Sequence, residues 1–255
     1  MITDTSHNRL KTGCRCYTGD YLTYYDAAAV DQHVVQHFVS DPLNAFLSGE
    51  QICSAWKNTD VEKAIVRIND HPFFVKRYHC LGPVYRIKNM YRKSKALKAF
   101  QNGQEFINAG ISTPRPIFCL EQRHFKLLGE SYLVCEFLDN AHNLLEIWPD
   151  LDDQTCMRLL HLAGTEIGHM HLKGFLHGDL NWRNILIQNK PGDERVFLVD
   201  LDGSRFSKHL DSKAADRDLK HFYRDFDRNH TPTRYIEHFT DCWRKACRNN
   251  KLKHT

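Results

Sequence analysis

The chain changes character once, near residue 140, and that change limits the folds open to it. Before it, short runs rich in aromatic and β-branched residues dominate. Residues 61–68 and 73–78 read as paired strands about the turn signal Asn69-Asp70-His71-Pro72, and residues 132–138 as a further strand. Between them, residues 92–109 read as a helix stopped at Gly110, and Thr113-Pro114-Arg115-Pro116 forces an extended segment. After residue 150 the period is helical. Asp152 and Asp153 offer N-caps, Met157, Leu160, Gly164, Ile167 and His171 recur every three or four residues, and Gly174 closes the helix. Two short apolar runs, 184–187 and 196–199, flank turn residues, and residues 212–228 and 232–249 read as two more helices. Strands first and helices later describe an α+β chain of two unlike lobes. We expect a β-rich lobe over residues 1–138 and a mainly helical lobe over 139–255. The first sixty residues carry little beyond short strand and helix segments.

Composition narrows the function classes. With 42% hydrophobic and 26% charged residues the 255-residue chain has ordinary globular usage, which argues against wholesale disorder. No run approaches the roughly 18 apolar residues of a membrane span. The start, Met1-Ile2-Thr3-Asp4, lacks a basic stretch followed by an apolar one, so a cytoplasmic address is expected. Nine cysteines at irregular spacing read as reduced thiols. Cys14-Arg15-Cys16 is too tight for a zinc knuckle, Cys242 and Cys247 lack a second pair, and His169 and His171 cannot share a helix face. No structural metal site is expected from these spacings.

The chemistry concentrates in His177-Gly178-Asp179-Leu180-Asn181-Trp182-Arg183-Asn184. An Asp and an Asn five apart, after a long helix and before a strand, suit phosphoryl transfer. The Asp holds or deprotonates an acceptor hydroxyl, and the Asn offers an amide oxygen to a metal on the nucleotide phosphates. Asp200 follows the apolar run 196–199, where a carboxylate is a second ligand for Mg²⁺. Lys76 closes the run Phe73-Phe74-Val75 and can reach phosphates as a point charge. Taken singly, each residue reads as a turn, a cap or a solvated strand end; taken together, order and spacing agree with one template.

His177-x-Asp179-x4-Asn184 followed by Val199-Asp200 resembles the catalytic and metal-binding loops of the protein-kinase-like fold. Further phrases sharpen this: Phe74-Val75-Lys76-Arg77-Tyr78, Ala109-Gly110-Ile111-Ser112-Thr113-Pro114-Arg115-Pro116, Asp200-Leu201-Asp202-Gly203 and Arg217-Asp218-Leu219. Over about residues 60–228 the chain is similar to the bacterial lipopolysaccharide core kinases, the heptose and Kdo kinases. That resemblance implies a two-lobed kinase fold that uses ATP and Mg²⁺ to phosphorylate a sugar hydroxyl of the lipopolysaccharide inner core. It implies Asp179 as catalytic base or orienting carboxylate, Asn184 and Asp200 as metal ligands, and Lys76 on the ATP phosphates. Glu136, Phe137 and Leu138 fall where the lobes hinge and adenine binds. His177 is expected to pack beneath the loop, and Asp202 to assist the metal or cap the turn. The alternatives are a kinase for another small-molecule or protein acceptor, and a nucleotide-binding pseudokinase scaffold.

The chain departs from the template in four places. Ser48-Gly49-Glu50 is the sole trace of a Gly-rich loop. Ala99 stands where an acidic partner for Lys76 is expected, so either Glu105 substitutes or Lys76 is held differently. Gly178 replaces the Arg common in protein kinases, and about seventeen residues separate Asp200 from Asp218, with no Ala-Pro-Glu segment. These last two favour a small or glycan acceptor over a regulated protein kinase. From Lys76 to Lys98 stand eight Lys or Arg and no acid. That block reads as a solvated face, as a contact for the anionic inner-membrane leaflet or as a surface for an acidic glycolipid acceptor. No nucleic-acid motif is present, and no nucleic-acid partner is expected.

Overall fold

The structure is a computed structural model that describes residues 14–18, 21–25, 32–52, 60–80, 82–190, 193–208 and 210–248. The chain divides into two compact units, Met1–Phe100 with Pro116–Phe137, and Gln101–Arg115 with Leu138–Thr255. The sequence reading divided the chain once, at 138; the segment Gln101–Arg115 instead groups with the second unit.

The first unit holds β1 (Cys14–Thr18), β2 (Tyr21–Tyr25), α1 (Gln32–Ser40), α2 (Pro42–Leu47), β3 (Glu50–Ile52), β4 (Val61–Ile68), β5 (His71–Tyr78) and α3 (Pro83–Lys88). It also holds the start of α4 (Lys95–Asn108), β6 (Pro116–His124) and β7 (Leu127–Glu136). The seven strands form one sheet of order β1-β2-β6-β7-β5-β4-β3, antiparallel throughout. Alternation along the strands fills both faces. Phe118, Leu120, Tyr132 and Val134 pack with Phe38 and Phe46, while Cys119 and Leu133 pack with Ala96, Leu97 and Phe100 of α4.

The β4–β5 turn is shorter than the sequence suggested. Asn69 and Asp70 both take positive φ, 50° and 63°, as a tight two-residue hairpin demands. Pro72 therefore lies inside β5, opposite Arg67. It is tolerated because pairing with β7 begins one residue later, at Phe73. Ser48-Gly49-Glu50 is the C-cap of α2 and the start of β3.

The second unit contains the rest of α4, β8 (Ala141–Asn143), α5 (Leu144–Ile147), α6 (Asp153–Leu172), β9 (Phe175–Leu176), β10 (Ile185–Lys190), β11 (Asp193–Leu198), β12 (Arg205–Phe206), α7 (Ser212–Arg228) and α8 (Thr233–Arg248). Asp152 caps α6 by accepting from the Thr155 amide, and the Asp153 carboxylate accepts from Arg234 and Tyr235 of α8. Its core is aromatic: Trp182 is fully buried against Trp148 and Phe226, and Phe222 stacks on Phe239 at 4.4 Å. α6 and α8 approach closely because Gly164 leaves room. A Cβ there would lie 2.9 Å from the Phe239 carbonyl oxygen and 3.1 Å from the Cys242 Cβ. Among the described residues no helix is long and apolar enough to cross a membrane.

Candidate active site

The loop from His177 to Asn184 is shaped by buried groups on either side of it. Gly178 takes φ 88°, and a Cβ there would sit 2.5 Å from the Gly203 carbonyl oxygen. The loop can approach the turn Leu201–Gly203 only because this position has no side chain. His177 is fully buried. Its Nε2 donates to the Val199 carbonyl at 3.0 Å and its Nδ1 accepts from the Asp179 amide at 3.4 Å. This is one neutral tautomer, consistent with burial pushing the imidazole below its ordinary pKa. His177 is thus held inside the loop by both ring nitrogens.

Asp218 on α7 holds the loop from the other side. Its carboxylate accepts from the His177 amide at 2.8 Å, the Gly178 amide at 2.8 Å and His171 Nε2 at 3.1 Å. Trp243 Nε1 donates to His171 Nδ1 at 2.9 Å, which leaves the ring proton on the nitrogen that faces Asp218. Burial alone would raise the Asp218 carboxyl; the bonds from His171 and the two amides outweigh it and hold the group below the usual carboxylate range. Asp225, also on α7 and buried, accepts from the Trp182 amide at 2.9 Å. The motif Arg217-Asp218-Leu219 gives no sign in the sequence of the anchoring role of Asp218, and nothing there singles out Asp225.

These anchors bring Asp179 and Asn184 together. Asn184 Nδ2 donates to the Asp179 backbone carbonyl at 2.8 Å and lies 3.3 Å from its Oδ2. The amide nitrogen is thus committed, and the amide oxygen is the atom left to act as a ligand. The Val199 amide donates to the Asn184 carbonyl at 3.0 Å, which ties β11 and the following Asp200 to the same loop. Asp200 takes the left-handed conformation, φ 70° and ψ 56°, which Asp tolerates better than most residues. Asn102 Nδ2 donates to the carbonyls of Leu201 and Ser204 and fixes the turn that contains Asp202. An amide oxygen and a carboxylate are hard oxygen donors, and that donor set suits Mg²⁺.

Asp179 lines a cavity of about 400 Å³ with Leu145, Asn181, Arg183, His221, Arg224, Asp225, Arg228 and Asn229. Its side chain is 59% exposed, so an acceptor can reach it. His221 Nδ1 stands 3.4 Å from Asp179 Oδ1. Three guanidiniums face two carboxylates here. Arg228 lies 3.5 Å from Asp225, whereas the Arg183 and Arg224 guanidiniums have no ion-pair partner among the described residues. Sequence reasoning missed this wall, although His221, Arg224 and Arg228 recur at helical spacing along residues 212–228.

The remaining candidates are divided. Lys76 lies on β5 in the first unit, 7% exposed, opposite Leu133 of β7. Glu136 ends β7 opposite Phe73. Phe137 is the last residue of the first unit, and Leu138 begins the longer segment of the second. Glu105 belongs to the second unit and Lys76 to the first. The basic block is not one uniform face: Lys76 is buried, and Arg77 is held by Glu130 at 2.6 Å and Glu62 at 3.0 Å. Its exposed members are Lys88, Arg92, Lys93 and Lys98.

The lipopolysaccharide kinase (Kdo/WaaP) family model matches residues 78–243, from two residues after Lys76 to within α8. The 3-deoxy-D-manno-octulosonic acid kinase of Vibrio parahaemolyticus serotype O3:K6 is 32% identical over 123 residues, 48% of this chain and 49% of that protein. The enzyme of the same description from Vibrio cholerae serotype O1 is 32% identical over 114 residues, 44% and 45% of the two chains. The chain thus spans about half the length of the curated relatives it matches. The solved structure described as WaaP in complex with acyl carrier protein aligns with a TM-score of 0.58 at 16% identity, covering 80% of this chain and 83% of that one. At that identity the likeness speaks for the fold, a kinase-like α+β architecture.

Proposed function

The chain belongs to the lipopolysaccharide kinase (Kdo/WaaP) family, and from that premise we propose that it transfers the γ-phosphoryl group of ATP to a sugar hydroxyl of the lipopolysaccharide inner core. The observation that carries the reading is the exposed Asp179 carboxylate, braced by Asn184 and His221 at a basic cavity. ATP with Mg²⁺ supplies the phosphoryl donor and neutralises charge developing on the phosphates. Asn184 and Asp200 would hold the metal and Lys76 the phosphates, with Glu136, Phe137 and Leu138 beside adenine. Glu105 and Asp202 are proposed in supporting places. Asp179 orients the acceptor hydroxyl and takes its proton, while Asn184 and His221 hold the carboxylate in one rotamer. Catalysis of this kind is chiefly positioning.

The acceptor is proposed to be an anionic sugar. The curated relatives are named for an acid sugar, and the guanidiniums of Arg183 and Arg224, which have no ion-pair partner among the described residues, lie on the wall beside Asp179. A hydrogen bond to a charged group contributes about 1.5–3 kcal/mol. Arg224→Ala should therefore raise the KM for the glycolipid about ten- to a hundredfold and leave the KM for ATP near wild type. Steady-state kinetics with each substrate varied in turn reads this, and an unchanged acceptor KM contradicts the assignment.

The proposal carries with it a cytoplasmic location, in peripheral contact with the anionic leaflet of the inner membrane. In support, Val84, Ile87 and Tyr91 are 77%, 62% and 83% exposed beside Arg86, Lys88, Arg92 and Lys93. Basic residues near an anionic surface contribute about 1 kcal/mol each, and apolar side chains add burial. Val84→Glu combined with Ile87→Glu should cut co-sedimentation with phosphatidylglycerol-containing vesicles several-fold. Equal sedimentation of variant and wild type contradicts the contact.

A further inference from the structure

A separate cluster of ligating side chains lies where α6 meets α8. His161 of α6 and His238 and Cys242 of α8 each present one ligand atom, and the three atoms all lie within 4.8 Å of one another. His161 Nδ1 is 3.2 Å from Cys242 Sγ, and Cys242 Sγ is 3.8 Å from His238 Nε2. For tetrahedral zinc, with Zn–S near 2.3 Å and Zn–N near 2.05 Å, the expected S···N separation is about 3.6 Å. The two observed separations bracket that value. None of the three belongs to the candidate active site, and none is needed for the phosphoryl transfer described above.

We infer that His161, His238 and Cys242 form a zinc site that pins α8 to α6. The local structure explains how the triad assembles. His238 and Cys242 are four apart, so one face of α8 carries both. Gly164, one turn beyond His161, lets that face approach α6 closely. Two imidazoles and a thiolate suit zinc and other borderline-soft divalent ions, and poorly suit Mg²⁺. The triad leaves the fourth tetrahedral position to water, since His161 is exposed at the rim while Cys242 is buried.

Binding exchanges protons for the metal. The Cys242 thiol releases one proton as its sulfur becomes the thiolate ligand. His238 Nε2 donates to the Met157 carbonyl at 3.0 Å. On binding it gives up that bond, its ring proton moves to Nδ1, and Nε2 becomes a ligand. Irregular cysteine spacing hid the site, because two ligands sit on one helix and the third on another.

The test uses the full chain, reduced, with excess Mg²⁺ to fill oxygen-ligand sites. Zn²⁺ affinity is read by competition with a chromogenic chelator, and Co²⁺ substitution by its thiolate-to-metal charge-transfer band. We expect one tight equivalent of zinc in the wild type. His161→Ala, a change at an exposed position, should weaken it by more than about tenfold with the circular dichroism spectrum unchanged. Cys242→Ser should abolish the cobalt band. Absence of tight zinc in the wild type, wild-type affinity in His161→Ala, or a cobalt band that survives Cys242→Ser overturns the site. Kinase activity enters none of these readings, so their failure is independent of the proposed function.

Discussion

Asp179→Asn should keep the wild-type fold and nucleotide affinity and lose about 10²- to 10⁴-fold in turnover, the range expected when a positioned proton acceptor is removed. The side chain is 59% exposed, so the substitution disturbs no core. The strongest contact within the loop, from Asn184 Nδ2 to the Asp179 backbone carbonyl at 2.8 Å, does not involve the carboxylate and survives. What disappears is the negative charge that faces the acceptor hydroxyl between Asn184 and His221. A nearly isosteric amide separates this loss from any loss of shape. ATP binding by calorimetry, run beside turnover, divides the two effects. Turnover within about threefold of wild type would remove Asp179 from its assigned task.

Asp218→Asn should be the most destabilising single-atom exchange near the loop, by about 3 kcal/mol. The carboxylate receives three donors, the amides of His177 and Gly178 and the Nε2 of His171, at a side chain only 5% exposed. An amide has one acceptor oxygen and brings two donors of its own, so at least one buried donor loses its partner. Because the folded carboxyl lies below its ordinary value of 3.8, its contribution is fully present above that pH. It is lost as acid protonates the folded group below it. The stability gap between variant and wild type, read from urea midpoints, should therefore be constant from pH 7 to about pH 5 and close only below 3.8. A gap that vanishes at pH 7 would mean that the loop does not depend on this anchor. Turnover should fall as well, since Gly178 precedes Asp179 directly.

Much of this arrangement was legible beforehand, for identifiable reasons. The α6 helix announces itself by apolar period, and Asp179 and Asn184 meet because only five positions of one loop separate them. His221, Arg224 and Arg228 were not legible as a wall. Charged residues at helical spacing read as a solvated face until the helix is known to lie beside Asp179. Asp218 shows the same limit: its role is to accept backbone amides forty residues away, and backbone amides leave no mark in a sequence. Pro72 was placed in a turn because the two positive-φ residues before it are Asn and Asp, which carry a weaker signal than Gly. The triad of His161, His238 and Cys242 needed the packing of two helices to be seen at all.

The proposed reaction is a phosphoryl transfer to an anionic inner-core sugar at Asp179. Its most direct measurement incubates the purified full chain with ATP, Mg²⁺ and a Kdo-bearing lipopolysaccharide precursor, and follows the glycolipid by mass spectrometry. One added phosphate on the sugar is expected, dependent on Mg²⁺, absent with Asp179→Asn and slowed at limiting acceptor by Arg224→Ala. A glycolipid that returns unmodified while the same protein phosphorylates another acceptor, or a product formed equally well by Asp179→Asn, would contradict it.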